Sequence, residues 1–219
     1  MIETILGIKK ENNRKSCFVM ALRSARHLTG RNVLTGEAEG IREMEVNVLM
    51  KDDVLSHRLE DELFFAGIAM YLIALDCLGC VFDNIEKASN KKGIGRALES
   101  FSSLDKAQID ALIDLRNTLA HNFGLATESR KSTGKPKKEQ HNFILSFSDL
   151  ADAVKLPETD WNGDFDRKED KYSTVIGVSA ICNLVETIIS NVFDCYKSGY
   201  LKLRISDNEA KARFTVLGR

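Results

Sequence analysis

An arginine, an amide and a histidine within six residues are the groups in this chain best suited to chemistry on a phosphodiester. They are Arg116, Asn117 and His121, in the run Arg116-Asn117-Thr118-Leu119-Ala120-His121. Histidine titrates near neutrality, so it can give or take a proton at physiological pH. Arginine keeps its charge and presents a planar fork that fits phosphate oxygens. Cleaving RNA through its own 2′-hydroxyl needs a proton carrier and a cation over the charged phosphorane, and no metal ligand. Asn117 precedes His121 by one helical turn on the same face, where its amide can orient the imidazole.

Helix geometry constrains this trio. Successive residues turn by ~100°, which sets Arg116 and His121 ~140° apart. Arg116 is expected among Ile109, Leu112, Leu119 and Phe123 on the apolar face, and His121 with Asp110, Asp114 and Asn117 on the polar one. One straight helix does not aim both heads at one point, whereas a cleft shared with a second copy of the chain does. The competing reading pairs Arg116 with a buried acid such as Asp76. It leaves His121 as a surface cation near a helix C-terminus, where the helix dipole favours positive charge.

In this segment the chain resembles the HEPN superfamily. Those helical domains carry an arginine, a polar neighbour and, after a short gap, a histidine on a late helix; Arg116, Asn117 and His121 match that pattern. The helix order is similar too, over roughly residues 14–198, although the specific part is about ten residues long. The resemblance implies a metal-independent endoribonuclease acting on RNA, often a toxin or defence effector, with no cofactor. It implies a homodimer whose two motifs line one cleft, and a protein antitoxin or regulator as partner. The same family holds non-catalytic modules that bind RNA, nucleotide or a protein partner, which is the alternative function. Some HEPN toxins carry a tyrosine two residues after the histidine that a nucleotidyltransferase modifies. Here that position is Phe123, which has no hydroxyl to modify. A third reading gives the motif a helix-packing role in a larger assembly.

The elements that must position these residues follow from periodicity and punctuation. Phe18, Leu22, Ala25 and Leu28 recur at helical spacing, predicting a helix over 12–28. Three glycines mark 30–40 as a loop, and 41–50 reads as a short helix. Ser56 is the expected cap of a long apolar helix ending near Phe82, the centre of a bundle. Asp76 lies on that helix, where an unpaired carboxylate is costly, and is a candidate binding residue. A helix over 94–101 is followed by one capped by Ser103, running from about Asp105 to Phe123 and stopped by Gly124. Residues 128–140 are polar and basic, and read as a mobile loop. Its Lys131, Lys137 and Lys138 are candidate contacts to an RNA backbone. Phe143, Leu145 and Phe147 alternate as in a strand, residues 156–171 read as an acidic loop, and 173–196 as a second long apolar helix. Residues 201–205 and 213–217 are strand-like.

The expected fold is therefore mainly α. It is an up-and-down bundle of four to five helices with a small β appendage near 142–147 and 201–217. It forms one domain over 1–219, with the basic loop 128–140 and a strand-like tail 200–219. Composition sets the remaining bounds. With 31 Lys+Arg against 32 Asp+Glu the net charge is −1, so any nucleic-acid contact must come from a local patch. Five cysteines without regular spacing, and a start lacking the pattern of a secretory signal, point to a reducing cytoplasm. Cys77 and Cys80 have no second pair at zinc-site spacing and read as core thiols. The apolar stretch 63–82 contains Asp76 and is flanked by acids, which favours a buried helix over a membrane span.

Overall fold

Ser16 decides where the first long helix begins. In the computed structural model, residues 1–9, 13–39, 53–122, 124–127, 140–148, 150–166 and 169–217 are described, with the backbone alone at 53–62 and 122. After the short α1 (Ile2–Ile5), β1 (Arg14–Ser16) leads directly into α2 (Cys17–Leu28). The Ser16 hydroxyl accepts the Val19 amide at 3.3 Å, an N-cap, and donates to the Ile5 carbonyl at 2.6 Å. Position 12, where the helix was expected to start, lies outside the described residues, and 14–16 are extended. That strand pairs antiparallel with β7 (Thr215–Leu217), and Arg14 Nη1 reaches Thr215 Oγ1 at 3.1 Å.

The described chain divides into two compact units. The first comprises 1–102 and 185–219, the second 103–184. In the first, α3 (Asp53–Val81) is the long apolar helix. It begins three residues before Ser56, so that serine lies inside the helix rather than at its cap. Ile68, Tyr71, Leu72, Leu75 and Leu78 are almost wholly inaccessible, and α2 and α4 (Ile94–Phe101) pack against this helix. Its last turn passes close to the start of α4. A Cβ on Gly79 would collide with the Gly93 carbonyl oxygen, so only glycine fits there. After α3, β2 (Phe82–Asn84) pairs antiparallel with β6 (Leu201–Leu203). The helix α7 (Asp207–Phe214), capped by Ser206, follows before β7.

A buried polar cluster joins helices of this unit. Arg26 on α2 forks onto Glu186, with Nε to Oε1 at 2.9 Å and Nη2 to Oε2 at 2.7 Å. Its Nη1 donates to the Val33 and Leu34 carbonyls at 3.2 and 2.8 Å. The Tyr71 hydroxyl donates to Glu186 Oε1 at 2.8 Å. Glu186 belongs to α6 (Val178–Lys197), within which the boundary between the units falls.

In the second unit, α5 (Lys106–Asn122) precedes a sheet of order β3-β5-β4, from β3 (Phe143–Ser146), β4 (Val154–Lys155) and β5 (Thr174–Gly177). β3 runs parallel to β5, and β4 antiparallel. A 3₁₀ turn over Asp170–Tyr172 interrupts the expected acidic loop. The helix α5 starts from Asp105, not Ser103. Asp105 Oδ1 accepts the Gln108 amide at 2.8 Å and Gln108 Oε1 accepts the Asp105 amide at 3.2 Å, a reciprocal capping box.

The bundle of four to five helices with one β appendage is thus incorrect. The fold is mixed α/β, with seven α-helices among the described residues and three small sheets. The expected appendage is dispersed: 143–146, 201–203 and 215–217 each join a different sheet. Residues 174–177, expected as helix, form the central strand of the three-stranded sheet. Short apolar runs suit either state until a pairing partner decides. The helix expected over 41–50 lies outside the described residues. Among the described residues, two helices, Leu63–Val81 within α3 and α6, are long and apolar enough to cross a membrane by length and composition.

Removing Glu186 strands a buried guanidinium. Glu186→Ala is expected to cost about 3–5 kcal/mol of unfolding free energy, and Tyr71→Phe about 1 kcal/mol. Urea denaturation of the two variants measures both.

Candidate functional site

The motif lies on the last two turns of α5, and burial shows how that helix sits. Ile109, Ala111, Leu112, Asp114, Leu115, Thr118 and Leu119 are buried. Arg116 and Asn117 are half-buried, and Ala120 and His121 are exposed. Around the circumference of the last turns, the residues that are not buried follow one another as Arg116, Ala120, Asn117, His121. Arg116 and His121 are therefore the two edges of one solvent-facing strip ~140° wide. Asp114, expected on the polar face with His121, is buried instead, and Thr118 turns its hydroxyl onto the Leu115 carbonyl at 2.9 Å.

Arg116 Nη1 donates to Asn117 Oδ1 at 3.2 Å. The amide oxygen expected to orient His121 is thus turned toward the arginine. Among the described residues, no hydrogen bond joins Asn117 to His121. His121 stands exposed in the last turn of α5. Gly124 closes the helix, its amide donating to the Thr118 carbonyl at 3.4 Å. Phe123, Lys131, Lys137 and Lys138 lie outside the described residues, as does the body of the basic segment.

The two ends of that basic segment are described, and they meet. The Thr127 amide donates to the His141 carbonyl at 2.9 Å, and the His141 amide to Thr127 Oγ1 at 2.9 Å. The Phe143 amide reaches the Leu125 carbonyl at 2.6 Å. The His141 imidazole is buried, stacked on Phe143 with centroids 5.3 Å apart, and its Nδ1 meets Thr174 Oγ1 at 2.9 Å. Asn142 Nδ2 donates to Ser173 Oγ at 3.2 Å. The His141 contact with Thr174 fixes the base of the basic segment on β5, and the alternation of Phe143, Leu145 and Phe147 was the signal available. Thr127 follows His121 by six residues, which places the base of the segment within ~20 Å of the imidazole by chain reach.

Asp76 belongs to the first unit and Arg116 to the second. The Asp76 Oδ1 accepts the Ile94 amide at 2.9 Å, so this carboxylate satisfies a free donor at the start of α4. A Cβ on Gly93, whose φ is +51°, would collide with Asp76 Oδ1, so the close approach needs glycine.

Among the described residues, no group of three or more His, Cys, Asp or Glu is placed to hold a metal ion. Burial pushes the Cys77 thiol up from 9.0 to about 12, and Cys17, Cys80 and Asp76 add to the shift. With the folded value above the unfolded one, the thiol's share of stability is present below pH 9 and is lost as pH rises toward 12. In comparisons with protein-family models, curated proteins and solved structures, nothing matches this chain.

At pH 8 and in the native state, iodoacetamide is expected to alkylate Cys77 at least a hundredfold more slowly than an unperturbed thiol. Peptide mass mapping over time follows the modification. Labelling of Cys77 at the rate seen in urea would contradict its shielding.

Proposed function

We propose that this protein is a metal-independent endoribonuclease of HEPN type that works as a homodimer in the cytoplasm. His121 moves protons to and from the 2′-hydroxyl and the leaving 5′-oxygen. Arg116 neutralises the phosphate as charge builds on it. Asn117 holds the arginine fork in place, a role changed from the orientation of His121 expected earlier.

The observation that carries this reading is the strip on α5. An exposed histidine and a half-buried arginine border one accessible surface on the last turns of α5, with Ala120 and Asn117 between them. Their ~140° separation keeps one copy from closing on one phosphate, so a second α5 completes the cleft. The base of the basic segment, tied down at Thr127 and His141, supports a nearby hold on the strand. A protein regulator is the proposed partner, since an unrestrained ribonuclease is toxic to its host.

A second reading rests on one specific contact. The Asn117 oxygen faces Arg116, and His121 has no side-chain orienter among the described residues. A proton shuttle works best when its ring is held, so this arrangement also fits a module that binds RNA without cutting it.

Incubation of mixed-sequence single-stranded RNA with the purified protein in EDTA separates the two. The nuclease gives products ending in 2′,3′-cyclic phosphate, and His121→Ala lowers the rate by about 10²–10⁴-fold. Arg116→Ala lowers it by about 10²–10³-fold, with Arg116→Lys between. Intact RNA retained by wild type and released by Arg116→Ala identifies the binding module. Equal cleavage by wild type and His121→Ala rules out the mechanism.

A further inference from the structure

Three thiols, those of Cys17, Cys77 and Cys80, gather where α2 and α3 pack together in the first compact unit. A Cβ on Gly67 of α3 would lie 3.2 Å from Leu28 Cβ and 3.4 Å from the Ala25 carbonyl oxygen, so the end of α2 is held against that glycine. Cys77 follows Gly67 by about 15 Å along α3, and Cys17 precedes Ala25 by about 12 Å along α2. The two helices run antiparallel, which brings these cysteines to one level: Cys17 acts on the Cys77 thiol more strongly than Cys80, one turn on, or the adjacent Asp76. Side chains one helical turn apart have Cβ atoms about 5–6 Å apart, so Cys17 stands at a comparable separation across the helix pair. Both thiols are free and half-buried. Cys80 faces elsewhere, since a Cβ on Gly93, just before α4, would lie 3.8 Å from its sulfur.

We infer that Cys17 and Cys77 are a redox-sensitive pair whose disulfide staples α2 to α3. A disulfide needs Cβ atoms about 3.5–4.5 Å apart, so a shift of about 1–2 Å between the helices closes the bond. Cys17 is the first residue of α2, and the shift falls at that helix end. The oxidant is a small disulfide such as oxidised glutathione. Burial holds the Cys77 thiol protonated, so the Cys17 thiolate takes the first step. Its sulfur bonds to one glutathione sulfur, the glutathione S–S bond breaks, and one glutathione thiolate leaves. That thiolate takes up the Cys77 proton, the Cys77 sulfur attacks the Cys17 sulfur, and the second glutathione leaves. The protein gives up two electrons and two protons, and two molecules of reduced glutathione form. This pair is independent of the α5 strip, and its failure leaves the ribonuclease reading untouched.

The test is incubation of the full chain with oxidised glutathione under native conditions, followed by intact mass, with fragmentation of joined peptides to locate the bond. Wild type is expected to carry a glutathione adduct on Cys17 first, and then to become lighter than the thiol form by two hydrogens, with Cys17 joined to Cys77. The bridged chain melts about 5–10 °C above the reduced one, and dithiothreitol reverses the change. Cys17→Ser abolishes the bridge, and Cys17→Ala does the same if the serine variant folds poorly. Cys80→Ser leaves the bridge intact. The proposal is overturned if wild type forms no Cys17–Cys77 bridge, whether it keeps glutathione adducts or joins Cys77 to Cys80. It is also overturned if the bridge forms as fast in urea as in the native chain, or if the bridged chain melts no higher than the reduced one.

Discussion

The fork of Arg26 onto Glu186 is the constraint on which the first unit depends. Two opposite charges removed from water are tolerable only if every donor and acceptor around them is satisfied. Here that condition enlists α2, α3, α6 and the 33–34 turn at once: the guanidinium reaches Glu186 and two carbonyls, and Tyr71 supplies the remaining donor. Gly36 completes the enclosure, because a Cβ at its φ of +82° would strike Glu186 Oε2. Apolar packing along α3 tolerates sliding by small amounts. A bidentate ion pair does not, and it sets the register of these helices.

The second unit is organised by backbone pairing rather than by charge. β5 accepts partners on both edges, and its Thr174 hydroxyl meets the His141 imidazole. That contact ties the end of the basic segment to the same sheet whose β4 strand touches the start of α5 through Gln108. The accessible strip of α5 and the base of the basic segment thus rest on one small framework.

Much of this was legible in the residues, and the exceptions share a cause. The helix over 94–101 follows directly from spacing, and on α6 the helically spaced Ile181, Val185, Ile188 and Val192 are buried while Leu184 is half-buried. Strands of two to four residues carry too little pattern to be read alone. Thr174–Gly177 merges into the apolar run of α6, and β1 finds its partner 201 residues away. Caps misled for a related reason. Serines are plentiful, and the choice of Asp105 over Ser103 depended on Gln108 three residues on. On α5, spacing alone gave the angle between Arg116 and His121. It did not reveal that Asp114 is buried, which moves the accessible strip so that the two residues become its borders.

Gln108 links two events that a sequence treats as separate. Its carbonyl oxygen accepts the Asp105 amide, closing the first turn of α5, while its amide nitrogen donates to the Val154 carbonyl on β4 at 3.2 Å. One planar group therefore satisfies a helix start and a sheet edge together, and neither contact survives rotation of the other. Helix fraying and strand detachment become a single opening, so amide protons in both places are set to exchange with solvent at a common rate.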